Sequence, residues 1–320
     1  MKILGISCGR KMSNSEILVK EALMGAEEAG AEVELIRLHD LTLKPCTGCN
    51  ACVINLFEKC GAGECVIKDD DFAFIDEKIM ECDGLIIGSP IYEKSPSGLL
   101  KILNDRMGPS HDVAFRMIAK QMREERGITT GKGPDERSFK TRAASLIAVG
   151  GSEWDNLALP MMHLFALSLQ INVVDKMLVN WVGLPGAIVF KEDALAKARK
   201  SGKHVAESLK KPAEQMEFIG EQGLCPICHS KLVEVREDNK NFPAICGICG
   251  VRGTLNMVDN KVTFTIADED RAHSHVLLSG KFGHAAELKE VSLKPNPKIN
   301  ELPERLAKYR SYLTYSKPER

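Results

Sequence analysis

The 320-residue chain contains no run of 18 or more apolar residues, so its sequence offers no candidate for a membrane-spanning helix. It lacks a secretory leader pattern. The opening Met1-Lys2-Ile3-Leu4-Gly5-Ile6-Ser7 is a strand-like run without a basic start, a longer apolar stretch or a small-residue cleavage site. The expected location is therefore the cytoplasm. An excess of charge of either sign is also missing: 43 Lys and Arg against 44 Asp and Glu leave a net charge of −1. Nothing in that balance draws the whole chain to nucleic acid or an anionic membrane. The turn after the first strand lacks the G-x-G-x-x-G spacing that would suit a dinucleotide pyrophosphate.

Cysteine, by contrast, is abundant. Nine of the eleven cysteines fall into two tight groups, and in a reducing compartment such groups more often hold metal than form disulfides. Cys8 and Cys82 stand apart and read as small core residues.

Residues 1–212 alternate strand-like and helix-like runs. Strands are expected at 2–7, 31–38, 84–88, 143–149 and 171–179, mostly short β-branched-rich runs suited to burial on both faces. Helices are expected at about 14–29, 70–82, 97–107, 111–126, 155–169 and 192–210. The first opens on Ser13-x-x-Glu16, a capping-box pattern, and stops at Gly30. This alternation predicts an open, doubly wound parallel α/β sheet whose ligand crevice lies beyond the carboxyl ends of the strands. Residues 108–142 are rich in Arg and Lys and have two readings, a solvated helix and loop or a docking face for an acidic electron carrier or a nicotinamide phosphate. Residues 221–270 form an expected small β module, with a strand at 232–236 and a turn at Asp238-Asn239. Residues 271–320, broken by Pro295 and Pro297, are expected to be an arm that wraps a partner subunit or a tail.

Three turns leave strand carboxyl ends. The first, 7–16, combines Ser7, Arg10, Ser13, Asn14 and Ser15 with a helix N-terminus, a set suited to a monophosphate such as that of FMN. The second offers Pro90, Ile91 and Tyr92, whose ring suits a flat flavin. The third, Gly150-Gly151-Ser152-Glu153, permits close backbone approach and donors toward a flavin carbonyl edge. A catalytic acid or base is not assignable from the sequence.

The first cysteine group is Cys46, Cys49, Cys52, Cys60 and Cys65, spaced C-x2-C-x2-C-x7-C-x4-C. Three thiolates two residues apart with a fourth downstream suit a [4Fe–4S] cluster better than zinc. Cysteines without a cluster remain the alternative. The second group, Cys225, Cys228, Cys246 and Cys249, is two C-x2-C knuckles with 17 residues between, which predicts a tetrahedral four-thiolate site for zinc or mononuclear iron.

Residues 1–210 resemble the NADPH-dependent FMN reductase family of flavodoxin-like proteins, and within it the iron–sulfur flavoproteins. The resemblance rests on the Ser7–Glu16 loop, Pro45-Cys46-x-x-Cys49-x-x-Cys52, Cys65-Val66-Ile67-Lys68-Asp69-Asp70, Ser89-Pro90-Ile91-Tyr92 and Val149-Gly150-Gly151-Ser152. It implies a five-stranded sheet of order 2-1-3-4-5, FMN at the three turns, and a homodimer or homotetramer in which the cluster of one subunit lies near the flavin of another. The first loop departs from the family pattern and is a residue shorter. Compact spacing within the family motif favours Cys60 as the fourth cluster ligand, whereas alignment on Val66-x-x-Asp69-Asp70 favours Cys65. The resemblance predicts an oxidoreductase carrying electrons from NAD(P)H or a reduced carrier such as ferredoxin to a small acceptor. The competing readings are a cluster-free flavin, quinone or nitro-compound reductase, and a redox sensor or scaffold built on a zinc ribbon. Mixed charge and the absence of Trp and Tyr over 213–270 argue against nucleic-acid binding.

Overall fold

In a computed structural model, the described residues are 1–236, 243–293, 297–310, 312–313 and 316. The Asp238-Asn239 turn and Pro295 lie outside them. The strands are β1 (Lys2–Ser7), β2 (Glu32–Arg37), β3 (Gly84–Tyr92), β4 (Ser95–Pro96), β5 (Ala143–Val149), β6 (Asn172–Val179), β7 (Val233–Val235), β8 (Ala244–Cys246), β9 (Arg252–Val258) and β10 (Lys261–Thr265). The helices are α1 (Asn14–Glu28), α2 (Ala51–Glu58), α3 (Phe72–Glu81), α4 (Gly98–Met107), α5 (Val113–Glu125), α6 (Ala158–Ser168), α7 (Glu192–Ser208), α8 (Asp268–Arg271), α9 (Leu278–Leu293) and α10 (Leu302–Arg310). Among the described residues no helix is long and apolar enough to cross a membrane.

The main sheet runs β2-β1-β3-β5-β6, all parallel. Counting parallel strands alone, this is the expected order 2-1-3-4-5. The central strands β1, β3 and β5 are buried on both faces, which is why they read as continuous apolar runs. One core, with Ile75, Leu103 and Phe165, fills the face under α3, α4 and α6; the other, with Leu18, Ala198 and Val205, fills the face under α1 and α7. Ser13 caps α1 as its position predicted, its Oγ accepting from Glu16 N at 3.2 Å. Cys8 and Cys82 are buried in the first core.

Helices α1 and α7 touch backbone to backbone. A Cβ on Gly25 would stand 1.9 Å from Arg199 O, and one on Gly202 would stand 1.7 Å from Ala22 O. Neither obstacle is a flexible side chain, so the helices must part. We expect Gly202→Ala to cost about 1–3 kcal/mol by overpacking, read as a lower urea midpoint at unchanged slope. A midpoint equal to that of the unmodified protein would contradict this account.

The structure extends the third strand beyond its expected end at 88. Ser89–Tyr92 stay in β3 and fold back on β4 through a two-residue turn, Ile91 facing Pro96 and Tyr92 facing Ser95. Glu93 and Lys94 both have positive φ, 44° and 68°, the geometry of a tight hairpin turn. In 108–142, the cations are engaged within the chain. Arg116 Nε donates to Ser110 O at 2.8 Å, and Arg142 is wholly buried, donating to Met80 O and Arg137 O. Lys120 pairs with Glu136, Lys132 with Glu64, Arg137 with Glu77 and Asp135, and Lys140 with Asp83.

Beyond α7, strands β10-β9-β8-β7 form a separate antiparallel sheet. Asp259 and Asn260, at φ 48° and 60°, close its β9–β10 hairpin. Its core consists of Cys225, Cys228, Ala244, Cys246, Ile248, Cys249, Val251 and Phe264, with Leu164 of α6 packed against it. Lys176 of β6 donates to Cys228 O at 2.7 Å, and Lys281 pairs with Asp112, the cap of α5, at 2.6 Å. The chain divides into two compact units, Met1–Gly283 and His284–Arg320. The second holds the end of α9 and α10, where Arg305 pairs with Glu301 at 2.7 Å.

Candidate functional site

Three neighbouring parallel strands set the rim of the site. Their register matches Ser7 with Gly88, Gly88 with Ile147 and Pro90 with Val149, so the turns after β1 and β5 and the hairpin after β3 emerge side by side. Cys8 N donates to Gly88 O at 2.8 Å, and a Cβ on Gly88 would meet Ser15 O at 3.0 Å. A Cβ on Gly150 would meet Ile91 Cδ1 at 3.1 Å and Asn180 Oδ1 at 3.4 Å. Ser7, Ser15, Ile91 and Gly150 therefore belong to one region.

In the first turn, Ser7 Oγ is buried and has no hydrogen-bond partner among the described residues. Ser13 Oγ and Ser15 Oγ lie 3.2 Å apart, and a Cβ on Gly9 would fall 2.3 Å and 2.6 Å from them. Arg10 is exposed. Asn14 has an internal role: its Nδ2 donates to Val182 O and Leu184 O at 3.1 and 2.9 Å, and its Oδ1 accepts from Ile188 N. Its side chain fastens α1 to the loop after β6, leaving its position at the helix start as its route to an anion. Burial pushes the Cys8 thiol up to about 12 against an opposing bond from Ser89, so it stays protonated and inert.

Pro90 and Ile91 are half-buried, whereas Tyr92 at the hairpin tip is exposed. Gly151, Ser152 and Glu153 are exposed, and Ser152 Oγ accepts from Trp154 N at 3.4 Å. Lys94 Nζ lies 5.4 Å from the centre of the Trp154 ring, so the second and third turns meet. A further contributor escaped the sequence reading: residues 180–186, which follow β6. Asn180 Oδ1 is buried without a partner among the described residues while its Nδ2 bonds Asp155, and Trp181 is exposed at positive φ. The Gly- and Pro-rich Trp181-Val182-Gly183-Leu184-Pro185-Gly186 was the available signal.

These residues fit a singly phosphorylated flavin. A buried hydroxyl without a partner among the described residues, two more hydroxyls set so close to Gly9 that only a glycine fits, and the N-terminus of a 15-residue helix suit a phosphate. The glycines of the third turn and the partnerless Asn180 Oδ1 suit a flat polar ring edge.

The first cysteine group lies on the long β2–α3 connection around α2. Cys46 and Cys49 are exposed, and Cys52 and Cys65 are half-buried and act on each other electrostatically. Gly48 N donates to Cys46 Sγ at 3.4 Å. Hydrogen bonds from the Ala51 backbone and then from Thr47 hold the Cys49 thiol below its ordinary range. Burial raises Cys52, opposed by Ser110. Cys60 is fully buried, its sulfur 4.0 Å from Phe57 O. Sequence reading passed over Arg106 of α4, which binds both ends of this connection.

The second group is already assembled. Cys225, Cys228, Cys246 and Cys249 are buried with all ligand atoms within 4.8 Å of one another. The Cys225–Cys249 and Cys228–Cys246 sulfurs lie 3.6 and 3.5 Å apart, close to the edge of about 3.8 Å of a tetrahedron with metal–sulfur bonds of about 2.3 Å. Four crowded buried thiols cannot all ionise without a cation, so the donor set fits a metal. His229 is not needed as a ligand; its ring stacks on Phe218 at 4.0 Å.

Residues 1–183 match the family described as NADPH-dependent FMN reductase. A flavone synthase of Aspergillus candidus is 29% identical over 302 residues, spanning 91% of this chain and 89% of its own. An iron–sulfur flavoprotein of Methanocaldococcus jannaschii is 41% identical over 124 residues, but the match spans 38% of this chain and 58% of that relative. The solved structure of a flavone reductase superposes over 100% of both chains with a TM-score of 0.82 and 32% identity. The rim of β1, β3 and β5, the Ser13 and Ser15 hydroxyls gathered at Gly9 and these likenesses agree: the chain belongs to the NADPH-dependent FMN reductase family and is a flavin-dependent oxidoreductase with a four-cysteine metal-binding group.

Proposed function

We propose that the chain holds FMN at this rim and a [4Fe–4S] cluster on Cys46, Cys49, Cys52 and Cys65, and reduces a flat conjugated ketone at the expense of NAD(P)H. The observation that carries the flavin part is the partnerless buried Ser7 Oγ together with the Ser13 and Ser15 hydroxyls at Gly9, at the carboxyl ends of three adjacent strands. Ser7, Ser13, Ser15 and the first N–H groups of α1 would hold the phosphate, with Arg10 adding charge. Pro90, Ile91 and Tyr92 would border the ring, and Gly150, Gly151, Ser152 and Glu153 its carbonyl edge. Bound FMN supplies reversible two-electron chemistry and, beside a cluster, one-electron exchange. The residues of the chain would orient the acceptor against the ring.

Exposed Tyr92, Trp154 and Trp181 offer aromatic surface to a planar acceptor. The full-length likeness to a flavone reductase favours a flavone-type enone, which gains a hydride and a proton across its carbon–carbon double bond. The internal pairing of the 108–142 cations favours NAD(P)H over docking of an acidic carrier on that face; a reduced ferredoxin-like carrier is the competing donor. The four thiolates of the β7–β10 module would hold structural zinc rather than iron, because Phe264 is the single aromatic among the described buried core residues, short of the aromatic core of a rubredoxin. Exposed Trp154, Trp181, Leu184 and Phe190 near the rim support a homodimer or homotetramer.

An anaerobic visible spectrum with iron and acid-labile sulfide analysis tests the cofactor set. Flavin with near-zero sulfide would replace the proposal by a cluster-free NAD(P)H-dependent reductase. The cysteine choice has its own check. Cys65→Ser is expected to bring sulfide close to zero, whereas Cys60→Ser leaves it near the unmodified level, because Cys65 acts on Cys52 while Cys60 is sealed in the interior with its sulfur at Phe57 O. The reverse pattern would make Cys60 the fourth ligand. Steady-state assays with NADPH, NADH or reduced ferredoxin against a flavone distinguish the donors.

A further inference from the structure

Arg106 is a cation sealed inside the protein next to the first cysteine group. Its residue is 4% exposed and its side chain not at all. Nη1 donates to Lys44 O at 2.9 Å and Nη2 to Ile67 O at 3.3 Å, one carbonyl on each flank of the stretch that carries all five cysteines. Asp70, buried as deeply, accepts from Nη1 at 2.5 Å and from Nη2 at 3.3 Å. The guanidinium lies 4.3 Å from the centre of the Phe72 ring. Nε is buried and has no acceptor among the described residues, and the Cys65 thiol is one of the groups that act on the guanidinium.

A clamp of two carbonyls could have been made with neutral donors. Burying a full charge is costly, and Asp70 compensates it on one side only. Nη2 reaches Ile67, two residues beyond Cys65, Nε keeps an unmet N–H among the described residues, and Cys65 acts on the same cation. Sulfur ligands of a reduced cluster carry more negative charge than those of an oxidised one, and cluster potentials respond to net charge and to hydrogen bonds at those sulfurs.

We propose that Arg106 and Asp70 form a buried charge pair that sets the reduction potential of the cluster through Cys65, Arg106 raising it and Asp70 moderating that effect. Arg106 is a positioning residue here, acting on the cluster through a ligand. The proposal rests on the reading that Cys65 ligates a [4Fe–4S] cluster. No atom is transferred: the cluster gains one electron from the reductant, and the fixed cation favours that state.

The test is a redox titration of the full-length protein under anaerobic conditions, with iron and sulfide measured on the same samples. Arg106→Gln is expected to disfavour reduction of the cluster about tenfold, a negative shift of about 59 mV for one electron. Asp70→Asn, which removes the anion and keeps the cation, is expected to shift the potential in the positive direction. Arg106→Lys should return it toward the unmodified value. A merely mechanical clamp would move Arg106→Gln and Asp70→Asn the same way, or move neither, and either result overturns the proposal. So does loss of iron and sulfide from both variants. An unmodified protein without iron and sulfide would instead refute the cluster reading itself.

Discussion

Stripping the metal from Cys225, Cys228, Cys246 and Cys249 is expected to unfold the β7–β10 sheet while the parallel sheet stays folded. Four of the eight buried apolar residues in the core of that module are these cysteines, and the remaining four make too small a core to fold alone. Metal binding at such sites carries an apparent free energy of about 10–16 kcal/mol near neutral pH, which exceeds anything the other contacts supply. The carbonyl of Cys228 that receives Lys176 would be lost with the knuckle, leaving a half-buried ammonium in need of water. Burial already lowers the affinity of Lys176 for its proton, with the four cysteine sulfurs opposing that effect. Hydrogen exchange after treatment with a strong chelator should show amides of 225–265 losing protection while those of β1, β3 and β5 keep theirs. Full protection of both regions in a metal-free sample would sink this account.

Gly9→Val should abolish flavin retention on purification. The branched side chain must start from a Cβ that sits 2.3 Å from Ser13 Oγ and 2.6 Å from Ser15 Oγ. It would displace the two hydroxyls assigned to the phosphate. Loss of about two good phosphate contacts corresponds to an affinity drop of about 100-fold or more, roughly 2.8 kcal/mol. Fluorescence titration of the apoprotein with FMN measures this directly. Circular dichroism establishes that the sheet survives, since Gly9 lies beyond the end of β1 and outside the two main cores. Unchanged FMN affinity would move the phosphate site elsewhere.

Some of this was legible in the amino-acid order and some was not. The parallel strands announced themselves because burial on both faces demands unbroken apolar runs, and the two C-x2-C knuckles because a tetrahedral site needs that spacing. The β3–β4 hairpin left no trace: its turn is Glu93-Lys94, not the Asn-Gly or Asp-Gly that positive φ ordinarily selects. Helix α2 was hidden for a similar reason, since its cap, Asn50, is left-handed and makes no side-chain capping bond. Asn14 reads as a phosphate ligand beside Ser13 and Ser15; only the tertiary fold shows its amide taken by a loop some 170 residues away. The same is true of Arg106 and Asp70, whose pairing joins α4 to the far end of the cysteine connection.

The close seat of α7 on α1 has a consequence for how the protein is made. Arg199 bonds Glu21 across 178 positions of sequence, and Gly202 lies against Ala22. As a nascent chain leaves the ribosome, the outer flank of α1 waits bare until α7, some 178 positions later, has been synthesised. Contacts so distant along the chain form slowly, and in the interval that small-residue stripe is a natural place for chaperones to bind. A premature stop before residue 200 would leave the early strands translated but their outer helix without its cover.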